Sequence, residues 1–139
     1  MNREMAEIIR NQKPLRLPPS ASVQEACKHM HRRKVGAVLV VDEKQRLVGI
    51  FTGRDAVRVL SRGEGAHAVP LRAVMTRKPA TLPPGHTAID AMRIMRDGGF
   101  RHVPIVENGV VIGIVSRGDF RGLELDRLDE ETGIWERMR

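Results

Sequence analysis

The 139-residue chain predicts an α/β (α+β) fold made of two β-α-β-β-α repeats, followed by a C-terminal helical extension. Three observations carry this. The phrases "GIFTGRD" (Gly49–Asp55) and "GIVSRGD" (Gly113–Asp119) repeat one pattern at an offset of 64 residues. The stretches "KPLRLPPSASVQEACKHM" from Lys13 and "KPATLPPGHTAIDAMRIM" from Lys78 coincide at an offset of 65, at Lys-Pro, Leu-Pro-Pro, Ala26 with Ala91, and Met30 with Met95. Between these landmarks, apolar residues switch from helical to strand-like spacing in both copies. Each copy alone is small for a stable core, so the two bury their apolar faces against each other.

The elements follow in order. Each copy opens with an extended, Pro-containing segment, Leu15–Pro19 and Ala80–Pro84. A helix comes next. Ser22 with Glu25 fits a capping box, and Thr87 with Asp90 is its looser equivalent. Val23, Ala26, Cys27 and Met30 form one apolar stripe at i, i+3, i+4, i+7, and Ala88, Ala91, Met92 and Met95 form another. Gly36 and the pair Gly98-Gly99 are expected to end these helices. The apolar runs "AVLVV" and "HVPIV" read as strands. The turn "DEKQR" or the stronger hairpin signal "ENG" leads to a second strand, "LVGIF" or "VVIGIV". The shift in offset from 65 to 64 places a turn shorter by one residue in copy two. "TGRD" and "SRGD" then open a second helix. Pro104 inside a strand pattern implies an edge, a bulge, or backbone left open for a ligand. "SRGEGAHAVP" (Ser61–Pro70) reads as the loop between copies. "MAEIIR" leads into copy one and "LRAVMT" into copy two. The tail carries Leu125, Leu128, Trp135 and Met138 among many charges. It reads as a helical extension broken or kinked near Gly133, with its Trp packed on the body or a second subunit. The domain boundaries expected are 1–66, 67–122 and 123–139.

Composition narrows the function classes. Aromatic residues make up 3% of the chain, so aliphatic residues and Met must fill the core. A single cysteine, Cys27, excludes an internal disulfide framework and suits a reducing, cytoplasmic setting. Its place on the apolar stripe makes it core rather than nucleophile. The charged N-terminus lacks the apolar region of a secretory leader, and no run is long enough to span a membrane. The net charge is +7. Residues 121–139 hold four Arg against six Asp or Glu, which leaves +9 on the other 120 residues. A positive body favours phosphates, nucleotides or nucleic acid, although an Arg-rich soluble surface has the same composition. There is no P-loop, G-x-G-x-x-G, G-x-S-x-G or H-E-x-x-H motif, and no nucleophile–base constellation. No catalytic residue is therefore assigned. No metal ligand is assigned either. His29 and His31 point in different directions on a helix, and His67 and His86 lie in loops without a ligand partner.

Over residues 5–120 the chain resembles a tandem pair of CBS (cystathionine β-synthase) domains of the small stand-alone bacterial type. The resemblance rests on the repeat, on "VGAVLVVDEKQRLVGIFTGRD" and on "FRHVPIVENGVVIGIVSRGD". It implies a pseudo-twofold α/β unit with two clefts that bind adenosine-containing ligands. It also implies a homodimer and a regulatory rather than catalytic role.

Residue by residue, Thr52 with Asp55 and Ser116 with Asp119 support two readings. A hydroxyl followed three positions later by Asp at a strand-to-helix turn is an N-cap. The same turn presents N–H groups and a positive dipole end to a phosphate. The two roles can coexist. The resemblance implies that Asp55 and Asp119 hold ribose hydroxyls and that Thr52 and Ser116 sit by phosphate or ribose. Arg54 and Arg117 stand one position apart in the two copies, within reach of a phosphate or simply solvated. The adenine slot is expected along Lys13–Leu15 and Lys78–Ala80, and along Val35–Val38 and Phe100–Pro104. It includes Lys78, Ala80, Gly36, Ala37, Val103 and Pro104. Arg101 and His102 either add charge and a hydrogen bond in copy two or are simply a surface Arg and a partly buried His, where copy one has "GAVL" with no cation. Unequal sites follow, with the Arg101–His102 site binding phosphate more strongly.

The leading expectation is a non-catalytic sensor in signal transduction. It requires no cofactor. Its regulatory ligand would be AMP, ADP, ATP, S-adenosylmethionine or NAD, and it would act on a separate effector protein. Two other classes stand beside it. One is a basic nucleic-acid-binding module, against which the scarce aromatics count for single strands. The other is a protein-interaction scaffold whose clefts are vestigial.

Overall fold

The computed structural model describes residues 3–120. Its elements are α1 (Met5–Ile8), β1 (Arg16–Leu17), α2 (Val23–Arg33), β2 (Ala37–Val41), β3 (Leu47–Thr52), α3 (Gly53–Leu60), β4 (Thr76–Arg77), α4 (Ala88–Gly98), β5 (His102–Glu107) and β6 (Val110–Ser116). Short 3-10 turns cover Ala66–Ala68, Leu71–Ala73 and Arg117–Asp119. The described chain forms two compact units. The first-copy unit holds residues 13–79 and 108–111, and the second-copy unit holds residues 3–12, 80–107 and 112–120. The tail expectation, including Trp135, lies outside the described residues.

In the first-copy unit the sheet order is β1-β2-β3-β4, with β1 parallel to β2 and the other neighbours antiparallel. Every residue of β2 is buried, which is why "AVLVV" is a continuous apolar run rather than an alternating one. Val23, Ala26 and Met30 of α2 face this core with Val38, Val40, Phe51, Ala56, Val59 and Leu71. The loop between copies is not wholly exposed, because Ala66 in its 3-10 turn joins the same core. The Asp42 carboxylate accepts from Lys44 N–H (2.8 Å) and Arg46 N–H (2.9 Å) and so holds the β2–β3 turn.

Strands β5 and β6 form a hairpin that belongs to the second-copy unit except at its tip, residues 108–111. Asn108 (φ 52°) and Gly109 (φ 81°) are both left-handed, as a tight two-residue hairpin turn requires. The expected first strand, Ala80–Pro84, shrinks to one parallel bridge between Leu82 and Ile105. Pro104 explains the loss. In copy one Leu39 N–H donates to the Leu15 carbonyl at 2.9 Å. Pro104 stands at the Leu39 position and has no N–H to give to Ala80. Val103, Ile105 and Val115 form the core with Ala88, Ala91, Met92, Met95, Met5 and Ile9.

The leading segments are exchanged. "MAEIIR" belongs to the second-copy unit and "LRAV" to the first. The bonds that hold them repeat one for one. Ala88 N–H donates to Arg3 O (2.7 Å), as Val23 N–H does to Val69 O (2.9 Å). Met5 N–H to His86 O (2.8 Å) matches Leu71 N–H to Ala21 O (2.8 Å). Ala6 N–H to Pro84 O (2.9 Å) matches Arg72 N–H to Pro19 O (3.0 Å).

The repeated glycine of the two phrases has a steric reason. A Cβ at Gly49 would meet Met75 Sδ at 2.5 Å and the Thr76 carbonyl at 2.9 Å. One at Gly113 would meet Ile9 Cβ and Cγ2 at 2.8 Å and Gln12 Oε1 at 2.9 Å. A chain segment crosses each position. At the first copy it is strand β4, pairing Thr76 with Ile50. At the second, one side chain substitutes for a strand. Gln12 Nε2 donates to Ile114 O (2.7 Å) and Gln12 Oε1 accepts from Ile114 N–H (2.8 Å).

The Gly36 helix stop and the ranking of the two caps need correction, whereas Gly98-Gly99 ends its helix as expected. Helix α2 ends at Lys34, which adopts the left-handed conformation (φ 56°), and not at Gly36. Gly98 is the last residue of α4, and Gly99 (φ 71°) makes its left-handed end. Space explains Gly98, since a Cβ there would lie 2.0 Å from the Phe100 ring. The two caps also reverse rank. Ser22 only accepts from Glu25 N–H, whereas Thr87 and Asp90 make the full reciprocal box, because the shorter Asp reaches back to the Thr87 N–H at 3.0 Å. Lys34→Gly is expected to stabilise the protein by about 0.5–1 kcal/mol, the left-handed cost less the entropy of a freer unfolded chain. A higher urea midpoint at unchanged m-value checks it.

Candidate functional site

The two phrases fold into matching strand-to-helix corners, one in each unit. At the first, Thr52 caps α3. Its N–H (3.0 Å) and hydroxyl (3.1 Å) donate to Asp55 Oδ2, and Asp55 N–H donates to Thr52 Oγ1 (3.2 Å). At the second, Ser116 N–H (2.7 Å) and hydroxyl (3.2 Å) donate to Asp119 Oδ2, and the reciprocal box is complete. Within the described residues this corner opens a 3-10 turn, and the rest of the expected helix lies outside them. Gly53 N–H donates to the Gly36 carbonyl (3.0 Å), and Arg117 N–H to the Arg101 carbonyl (3.1 Å). The backbone thus ties Gly36 and Arg101 each to its own corner.

These bonds limit what a corner offers an anion. The amides of Gly53 and Arg117 are engaged, and those of Asp55 and Asp119 face the capping hydroxyls. The remaining amides are those of Arg54 and Gly118. The hydroxyl protons of Thr52 and Ser116 point at carboxylates, so neither is a spare donor while its cap is closed. The capping reading is therefore realised at both corners.

The corners differ in what is left over. Asp55 Oδ1 is held by Arg58 Nη2 at 3.4 Å, with the Asp55 side chain 17% exposed. The same Arg58 nitrogen donates to the Val74 carbonyl at 3.0 Å. Asp119 is exposed, and its Oδ1 has no hydrogen-bond partner among the described residues. The position matching Arg58 in copy two is Gly122. Arg58 was not singled out from the sequence, although "DAVR" against "DFRG" carries the signal as an Asp–Arg pair at i, i+3.

The remaining assigned residues divide between the units. Gly36, Ala37, Arg54 and Lys78 lie in the first-copy unit, and Ala80, Arg101, His102, Val103, Pro104 and Arg117 in the second. Arg54, Arg101, Arg117, Lys78 and Ala80 are exposed. Lys78 is left-handed at φ 48°. Val103 is fully buried and Ala37 nearly so, so their side chains serve the core and only their backbones can meet a ligand. Ala80 is exposed, and among the described residues its carbonyl lacks the backbone bond that Leu15 receives from Leu39, which leaves an acceptor on the extended segment.

His102 is half-buried. Burial pushes its pKa below the ordinary 6.5, and Arg101 pushes the same way, while Asp119 opposes them. At pH 7 His102 is neutral and offers a hydrogen bond without the charge expected of it. The unfolded chain then binds more protons than the native one. The contribution of His102 is complete above the unfolded pKa and falls as pH drops from about 6.5 toward the lower folded value. The Asp90 carboxyl is held below its usual range by the Thr87 backbone bond, so its share is lost only in stronger acid. Urea midpoints are expected to fall as the pH is lowered below about 6.5, and less so in His102→Gln.

Other groups are accounted for. Burial pushes the Cys27 thiol up, consistent with a core role. His86 faces Asp90 at 3.6 Å. Two concavities, of about 790 and 570 Å³, are lined by residues outside both corners.

The family model described as CBS domain matches residues 5–62 and 71–126. The CBS domain-containing protein CBSCBSPB1 of Arabidopsis thaliana is 39% identical over 108 residues, covering 77% of this chain and 20% of the relative. The chain thus spans about a fifth of the first curated relatives it matches. The crystal structure of the CBS-domain protein ATU1752 from Agrobacterium tumefaciens is similar at 33% identity and a TM-score of 0.77, covering 84% of this chain and 89% of that one. The CBS domain protein PAE2072 from Pyrobaculum aerophilum, solved complexed with AMP, has a TM-score of 0.82 at 23% identity, covering 92% and 99% of the two chains. At that identity the likeness concerns the fold.

Proposed function

The chain belongs to the CBS-domain family, and on that premise we propose that it is a non-catalytic sensor of an adenosyl ligand, with its stronger site at the Asp119 corner. One observation carries the choice of corner: among the described residues Asp119 keeps an unpartnered carboxylate oxygen where Arg58 occupies the matching oxygen of Asp55. A carboxylate is acceptor-only and suits the hydroxyls of a ribose. The Ala80 carbonyl suits the amino edge of an adenine. Arg101 and Arg117 supply charge for a phosphate. AMP in a relative of the same fold is consistent with this ligand class.

The ligand shifts the protein only through different affinity for two conformations, and the signal passes to a separate effector protein. A cytoplasmic homodimer fits the composition and the exposed apolar pair Val57 (71% exposed) and Leu60 (47%) on α3. No helix among the described residues is long and apolar enough to cross a membrane.

A thermal-shift panel tests the reading. AMP, ADP, ATP, S-adenosylmethionine and NAD are compared with GMP and GTP. A rise in Tm with one or more adenosyl compounds, absent with the guanosine nucleotides, is expected. Equal response to both groups, or none at millimolar ligand, contradicts it.

A further inference from the structure

Helix α2 carries a cationic face that neither its packing nor the corners use. Lys28, His31, Arg32 and Lys34, together with Met30, line the concavity of about 790 Å³. The four polar residues are exposed, and Met30 is buried at its floor. Lys28, His31 and Arg32 stand at i, i+3 and i+4, on one face of the helix. None of the four is paired with an acid among the described residues. Arg33 is different: its guanidinium donates to the Lys13 carbonyl, and it lies outside the hollow.

Some positive charge at a helix C-terminus is ordinary, because it offsets the helix dipole. The sister helix shows how little of it the fold needs. At the matching positions α4 carries Arg93, Arg96, Asp97 and Gly99. There Arg93 faces Asp90 at 3.9 Å and Arg96 meets Asp97 at 3.1 Å. Helix α2 has Glu25 where α4 has Asp90, with no ion pair from it to Lys28 among the described residues, and it has the cation Arg32 where α4 has the acid Asp97. Lys28 and Arg32 are like charges at i, i+4, which destabilises a helix. Lys34 adds a charge at a left-handed position where the sister copy uses glycine. Both features act against the stability of the helix while enlarging one positive surface.

We propose that this face docks onto the phosphodiester backbone of a nucleic acid duplex without reading its sequence. A protein partner binds chiefly through apolar anchors seated in pockets, and among the described residues the only apolar one lining this hollow, Met30, is already buried. A single strand is gripped by stacking bases on aromatic rings, and among the described residues the lining holds no Phe, Tyr or Trp. What remains is clustered, solvated positive charge, which suits phosphates held by position rather than bases held by pattern. This surface is separate from the adenosyl corners.

Fluorescence anisotropy of the full chain with a labelled mixed-sequence duplex of about 20 base pairs tests it across a salt series. Three proteins are compared: the wild type, Lys28→Gln/Arg32→Gln, and Arg62→Gln, an exposed cation of the same unit outside the hollow. All the substituted side chains are exposed, and thermal melts verify that the variants remain folded. The double variant is expected to bind at least tenfold more weakly at about 100 mM salt. Its log K against log salt slope should be shallower by about 1.8, for two lost phosphate contacts. Arg62→Gln should match the wild type. The proposal is overturned by undetectable duplex binding or by equal binding of the double variant. It is also overturned if the single strand or poly-glutamate binds as tightly as the duplex.

Discussion

Gly113→Ala is expected to lower the Tm by about 10 °C, from a loss near 3 kcal/mol. The added methyl would stand 2.8 Å from Ile9 Cβ and Cγ2 and 2.9 Å from Gln12 Oε1. Ile9 is buried in the second-copy core, so it has little room to retreat. Gln12 makes both of its amide bonds to Ile114, so moving it breaks two bonds at once. Gly49→Ala is expected to cost less, since its nearest neighbour is the flexible Met75 thioether, although the Thr76 carbonyl stands at 2.9 Å. Differential scanning calorimetry of the two variants checks the order. Equal and small shifts would show that the crossing segments are not held as described.

Asp119→Ala is expected to weaken adenosyl binding by roughly 10- to 100-fold, the usual range for a hydrogen bond to a charged group. The same change removes a cap worth about 1 kcal/mol of stability, so affinity and Tm must be measured together. Asp55→Ala is expected to reduce stability by a similar amount and to change affinity by less than about threefold, because Arg58 already holds its second oxygen. Comparing the two separates a ligand role from capping, since capping predicts matched stability losses and no difference in affinity.

The sequence made the repeated architecture legible, and the physical reasons are specific. The stripes Val23-Ala26-Met30 and Ala88-Ala91-Met95 mark buried helix faces because helical spacing reports which side meets the core. "ENG" marks a hairpin because both its central residues tolerate positive φ. The hydroxyl–Asp pairs mark caps because the bonds lie within three residues. What escaped reading depends on contacts distant in the chain. Nothing in "MAEIIR" says that its partners are Pro84 and His86 rather than the copy that follows it. Nothing local says that Gln12 will stand in for a strand beside Ile114. The loss of the Ala80 strand follows from Pro104, yet only once Ala80 and Pro104 are known to be neighbours. Lys34 replaced Gly36 as the helix end because the stop is set by backbone geometry, which a lysine can adopt at a cost. Arg58 was locally readable, and its consequence for Asp55 became visible only with the Val74 carbonyl in place.

The most direct test of the central claim is a proton–nitrogen NMR titration of the wild-type chain with AMP. The account predicts that the amides of Ala80, Arg101–Val103 and Ser116–Asp119 shift first and saturate at the lowest ligand concentration. Those of Gly36, Ala37 and Thr52–Asp55 should follow only at higher concentration. Simultaneous saturation of both corners, or first response at Thr52–Asp55, would contradict the assignment of the primary site to Asp119.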